Sequence, residues 1–146
     1  MHLLGHPITV LLVEDDPGDE MMTLEALGEN EAHNTVFVAR DGLEALNFLF
    51  REPPHAGAPR PDLILLDLNL PKYNGRQILE RVKSDPDLCT IPVVVLTTSA
   101  SEEDVLSSYR LHANAYVTKP VDLPHFLEAI KQIDDFFVRT ARLPTL

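Results

Sequence analysis

The sequence predicts an α/β protein: a doubly wound, five-stranded parallel sheet with five helices. Three observations carry that expectation. Short apolar runs alternate with helical patterns from end to end, the signature of repeated βα units. Four of the runs stop abruptly at polar or charged residues. The helices between them announce themselves by capping residues.

The first strand, near 8–13, contains Val10-Leu11-Leu12-Val13 and stops at Glu14-Asp15-Asp16, where Asp16 suits the cap of the next helix. A second strand is read at 35–39, followed by Asp41 with Glu44 three residues on, a helix start. Residues 52–61 hold Pro53, Pro54, Pro59, Pro61 and Gly57, so this segment continues neither neighbour and is predicted to be a surface loop. The third strand, near 62–67, runs through Leu63-Ile64-Leu65-Leu66 into Asp67, then Leu68-Asn69-Leu70-Pro71 and a turn in which Gly75 leaves the backbone unhindered. The fourth, near 92–97, stops at Thr97-Thr98-Ser99, and Ser101 with Asp104 starts a helix. The fifth, 115–118, stops at Lys119-Pro120, and Asp122 with Pro124 opens the last helix. There Leu123, Phe126, Leu127, Ile130, Ile133 and Phe137 form an apolar stripe. Phe136 lies off that stripe and marks a candidate partner face.

With 146 residues and 45% hydrophobic content, the chain is read as one domain over 1–146. Its core is expected at about 8–138, with a C-terminal extension at about 139–146. A net charge of -11 argues against sequence-independent nucleic-acid binding and favours a divalent cation or a basic partner. Cys89 is the only cysteine, so no intrachain disulfide forms and a reducing, cytoplasmic setting is expected. Residues 1–7 lack the pattern of a signal peptide, and no apolar run approaches the roughly 20 residues that span a bilayer. His2, His6, His33, His55, His112 and His125 are not read as metal ligands.

In an open parallel sheet all strand C-termini lie along one edge, and ligands bind outside it. Glu14, Asp15 and Asp67 are therefore expected to meet. Two carboxylates about 5 Å apart, at an effective dielectric near 20, repel by on the order of 3 kcal/mol. A hard divalent cation would offset this, and oxygen ligands with retained waters suit Mg²⁺. Asn69 is placed to present its backbone carbonyl to the metal, and Lys119 adds an ammonium. Metal, ammonium and the Thr97 hydroxyl beside a carboxylate suit phosphoryl transfer, with Asp67 as nucleophile.

Glu14-Asp15, Asp67-Leu68-Asn69-Leu70-Pro71 with Gly75, Thr97, Tyr116 and Lys119-Pro120 resemble the receiver domain of two-component response regulators over residues 8–138. The intervals Asp67 to Thr97, 30 residues, and Thr97 to Lys119, 22 residues, are those of compact chemotaxis-type receivers. The resemblance implies a (βα)5 flavodoxin-like fold and phosphorylation of Asp67 by a histidine kinase. It further implies Mg²⁺ on Asp15 and Asp67 with Glu14 acting through water, Lys119 on the phosphoryl oxygens, a switch through Thr97 and Tyr116, and a cis Lys119–Pro120 bond. Thr98 stands where the family usually has Ala or Gly, and the 52–61 loop is longer than usual.

That loop, the phrase 65–71 and the run 94–99 further resemble the small stand-alone regulators of bacterial phytochrome kinases. This implies a phytochrome partner and homodimers built from the last helix and C-terminal tail. The competing reading is a Mg²⁺-dependent aspartyl-phosphate phosphatase of haloacid-dehalogenase type, which needs an acid where Asn69 stands. A flavodoxin-like cofactor binder is disfavoured by the acidic loop after the first strand.

Overall fold

The computed structural model describes residues 8–28 and 34–144. The N-terminal segment with His2 and His6, His33, and the final two residues of the predicted C-terminal tail lie outside the described residues. Strands β1 (Thr9–Val13), β2 (Thr35–Ala39), β3 (Leu63–Leu66), β4 (Val93–Thr97) and β5 (Ala115–Thr118) form one parallel sheet in the order β2-β1-β3-β4-β5. Helices α1 (Pro17–Gly28), α2 (Gly42–Leu49), α3 (Gly75–Ser84), α4 (Glu102–Arg110) and α5 (Leu123–Asp135) connect and flank the strands, and α5 runs on into a π-helical turn, Phe136–Thr140. The order reverses between β1 and β3, which opens a crevice beyond their C-terminal ends.

Side-chain alternation along the strands divides the core into two layers. Leu11, Val13, Ile64, Leu66, Val93 and Val95 pack beneath α2 and α3, against residues such as Leu46, Ile78 and Val82. Val10, Leu12, Leu63, Leu65, Val94 and Leu96 pack on the opposite face against Leu27 of α1 and Phe126 and Ile130 of α5. β1, β3 and β4 are almost wholly buried, whereas the edges β2 and β5 are partly open. No helix among the described residues is long and apolar enough to cross a membrane.

The predicted caps are observed. Asp41, Ser101 and Asp122 each accept a hydrogen bond from the backbone N–H three residues on. Asp16 accepts from the N–H groups of Gly18 and Asp19, at 2.8 and 3.1 Å, and caps α1. Gly75 sits where an added Cβ would lie 2.4 Å from the carbonyl oxygen of Asp67, so only glycine allows this approach of α3 to the end of β3. The 52–61 loop is largely exposed between α2 and β3.

Two expectations are corrected. Leu123, assigned to the apolar stripe, is 49% exposed, because as the first residue of α5 it precedes the turn that meets the sheet. Lys119–Pro120 is trans, the cis peptide among the described residues being Pro53–Pro54. The trans form is the intrinsically favoured one, and in it the Lys119 N–H reaches the Thr97 carbonyl at 2.7 Å.

Candidate functional site

Backbone hydrogen bonds deliver the predicted residues to one edge. The N–H of Asp67 donates to the Val13 carbonyl at 3.1 Å, extending the β1–β3 ladder one residue past β3. Glu14 N–H donates to the Ala39 carbonyl at 3.0 Å and is fixed against β2. Lys119 leaves β5 beside Thr97 of β4, as its bond to the Thr97 carbonyl requires.

At their centre is the Lys119 ammonium. It donates to Glu14 Oε1 at 2.5 Å, Asp19 Oδ2 at 2.8 Å and Asp67 Oδ2 at 3.1 Å. Asp67 Oδ1 accepts from the N–H of Asn69 at 3.0 Å, which closes the turn after β3. Oxygens of Glu14, Asp15 and Asp67 lie within 4.8 Å of one another. Glu14 is 2% exposed, Asp67 and Lys119 7% each, while Asp15 faces solvent. This all-oxygen set, open on its Asp15 side, fits a hard divalent cation.

Burial pushes the Glu14 carboxyl up to about 7, against the hydrogen bond and charge of Lys119, with Asp67 adding to the rise. Burial also opposes the charge on Lys119, but hydrogen bonds to Asp19 and Glu14 and the fields of Asp67 and Glu14 outweigh it, so its pKa lies above the ordinary lysine value. The ammonium therefore keeps its charge.

Thr97 is fully buried and its Oγ1 has no hydrogen-bond partner. An unsatisfied buried hydroxyl costs about 1–3 kcal/mol, and Thr23 and Ser108 carry the same feature elsewhere in the fold. Tyr116, opposite Val95 in the β4–β5 register, packs against the same core layer and donates its hydroxyl to the Ser99 carbonyl at 2.8 Å.

Asp19 was missed by sequence reasoning. It lies in the first turn of a helix that begins at the strand C-terminal edge, and that position was the available signal. A cleft of about 500 Å³ beside it is lined by Asp19, Met22, Thr98, Val121 and Leu123. Asn69 is exposed and engages Asp67 through its backbone; the phosphatase alternative lacks its required acid and finds no support.

The model of the response regulator receiver domain matches residues 10–131, and the chain belongs to that family, as a regulator of two-component signalling. Its similarity to particular members is high. It is 45% identical over 138 residues to response regulator Rcp1 of Synechocystis sp., covering 94% of each chain. Among solved structures it is similar to the phosphorylated cyanobacterial phytochrome response regulator RcpA, with TM-score 0.93, 47% identity and coverage of 95% of this chain and 99% of the other. It is likewise similar to the Mn²⁺-bound form of Rcp1, with TM-score 0.92, 45% identity and coverage of 95% and 100%.

Proposed function

We propose that Asp67 accepts a phosphoryl group from the phosphohistidine of a histidine kinase and that the protein thereby switches its signalling face. The observation that carries this reading is the meeting of Glu14, Asp15 and Asp67 oxygens within 4.8 Å of one another, with the Lys119 ammonium bonded to Glu14 and Asp67 and an unpartnered Thr97 hydroxyl nearby in the sheet. A carboxylate oxygen of Asp67 forms the new bond to phosphorus as the P–N bond of the donor breaks, and the imidazole leaves as the neutral ring after taking a proton. Lys119 offsets charge on the transferred oxygens, and Thr97 donates a hydrogen bond to one of them. Asp15, Asp67 and the backbone carbonyl of Asn69 would hold Mg²⁺, with Glu14 acting through water; the ion supplies neutralisation of the gathering negative charge. Thr97 and Tyr116 then carry the change outward.

The partner is a phytochrome-type kinase, on the strength of the phytochrome response regulator RcpA at 47% identity. The cleft beside Lys119, with Met22, Val121 and Leu123 along it, offers an apolar rim around the acceptor for that partner to cover. The receiver core is 8–138 in a chain acting in the cytoplasm. A second copy covers Phe136, which is 52% exposed at a groove of about 280 Å³ formed with β5 and α5. This makes a homodimer through the last helix and the tail after it.

The test is phosphotransfer. Incubation with phosphoramidate and Mg²⁺ should add one phosphoryl group per chain, measured by intact mass, and illumination should gate transfer from a phytochrome kinase. Asp67→Asn and a metal chelator should each abolish uptake. Undiminished labelling of Asp67→Asn would refute the assignment.

A further inference from the structure

The loop that follows Thr97 is fastened from two directions through one residue. Ser99 Oγ donates to Asp104 Oδ2 at 2.5 Å, while the Ser99 carbonyl accepts the Tyr116 hydroxyl at 2.8 Å. Asp104 is in turn ion-paired through Oδ1 with Arg76 of α3. Arg76 Nε also donates to Ser107 Oγ at 3.2 Å, and that hydroxyl returns a bond to the Asp104 carbonyl. Arg76 follows Gly75, whose N–H donates to the Leu68 carbonyl at 2.9 Å, next to Asp67. A continuous set of bonds thus joins the turn after Asp67 to the loop that follows Thr97.

We infer that Arg76 and Asp104 are positioning residues for phosphoryl binding, holding Ser99, and through it Thr97 and Tyr116, in the arrangement that receives the phosphoryl group. The inference rests on Asp67 being the phosphoacceptor and adds how that site is regulated. Thr97 ends β4 two residues before Ser99 and its buried hydroxyl has no partner, so the loop leads directly away from that hydroxyl. With Asp104 released, the loop spends part of its time in other conformations. Apparent affinity for a phosphoryl mimic then falls with the fraction of chains still competent.

Fluoroberyllate with Mg²⁺ is the probe, and its dissociation constant is read by titration of amide NMR shifts. Arg76→Ala and Asp104→Asn should each weaken binding by roughly three- to tenfold, and the double variant should be no weaker than the poorer single one, since both break one connection. Arg76→Lys should recover part of the loss. Mg²⁺ affinity alone should not change, which a general loosening of the acidic site would alter. If either variant proves too unstable to titrate, Ser99→Ala removes the same bond at the loop and must show the same weakening. Unchanged or tighter fluoroberyllate binding in these variants, with normal binding by the unaltered protein, would overturn the inference alone. Failure of the unaltered protein to bind, or equal binding by Asp67→Asn, would instead overturn the phosphoacceptor reading and this inference with it.

Discussion

The Lys119 ammonium lies 2.5 Å from Glu14 Oε1, a residue 105 positions earlier in the chain, with both side chains at most 4% exposed. The same ammonium reaches Asp19 and Asp67, so it both balances the acidic site and competes with a metal for it.

Lys119→Met separates these two roles. Removing the ammonium leaves the carboxylates uncompensated, so Mg²⁺ should bind several-fold more tightly, as followed by calorimetry. Uptake of phosphate from phosphoramidate should nevertheless fall by about 100-fold or more, the usual scale for losing one preorganised group on a developing charge.

Glu14 gives the site a pH response. Its carboxyl is raised by burial from 4.5 to about 7, so between these values the folded chain binds more protons than the unfolded one, and stability falls as pH rises. The contribution is fully present below pH 4.5 and gone above about 7. Urea denaturation, read by far-UV circular dichroism at pH 5.5 and 7.5, should show Glu14→Gln with a smaller stability loss over this interval than the unaltered protein. A shift of this size corresponds to at most about 3 kcal/mol, reduced where water relaxes the site.

Gly75→Ala tests the closeness of α3 to the phosphoacceptor. The new Cβ would lie 2.4 Å from the Asp67 carbonyl oxygen and 2.5 Å from Leu68 Cα, both backbone atoms that move only with the turn. Destabilisation of about 2 kcal/mol should lower Tm by roughly 6 °C in a scanning calorimeter. Phosphate uptake should suffer as Asp67 shifts.

Phe136 bears on assembly. Its ring is exposed and meets Phe137 edge-on at 5.1 Å, so an apolar surface lies open beside the groove on β5. If a second copy covers it, Phe136→Glu should convert a dimer to a monomer in sedimentation velocity without lowering Tm by more than a few degrees. A monomer in both proteins at all concentrations would remove the homodimer.

Much of this was legible in the sequence because the relevant physics is local. Strand ends, the Asp41, Ser101 and Asp122 caps, and the polar stops at Asp67 and Lys119 follow from propensity and patterning over a few residues, and parallel topology then brings the stops to one edge. Asp19 was only partly legible: its place in the first turn of α1 was a signal, but nothing in Asp16-Pro17-Gly18-Asp19 tells which carboxylate turns inward to Lys119 until the fold is formed. Asn74, whose side chain forms a reciprocal capping box with Gln77, carried a readable signal that was overlooked. The Arg76–Asp104 pair links separate helices and depends on tertiary packing alone.

Thr97→Val sets stability against function at a single hydroxyl. In the unphosphorylated protein Thr97 Oγ1 is buried with no partner, so exchanging it for a methyl group of nearly the same shape removes a desolvation cost and should stabilise the fold by about 1 kcal/mol. Tm should rise by roughly 3 °C. The same exchange takes away the donor proposed to meet the phosphoryl group, so fluoroberyllate binding should weaken by about tenfold, the worth of one hydrogen bond to a charged acceptor. The two changes run in opposite directions if, as proposed, the hydroxyl finds its acceptor in the phosphoryl group. A valine variant that lost stability and kept full fluoroberyllate affinity would show that Thr97 serves packing and takes no part in the switch.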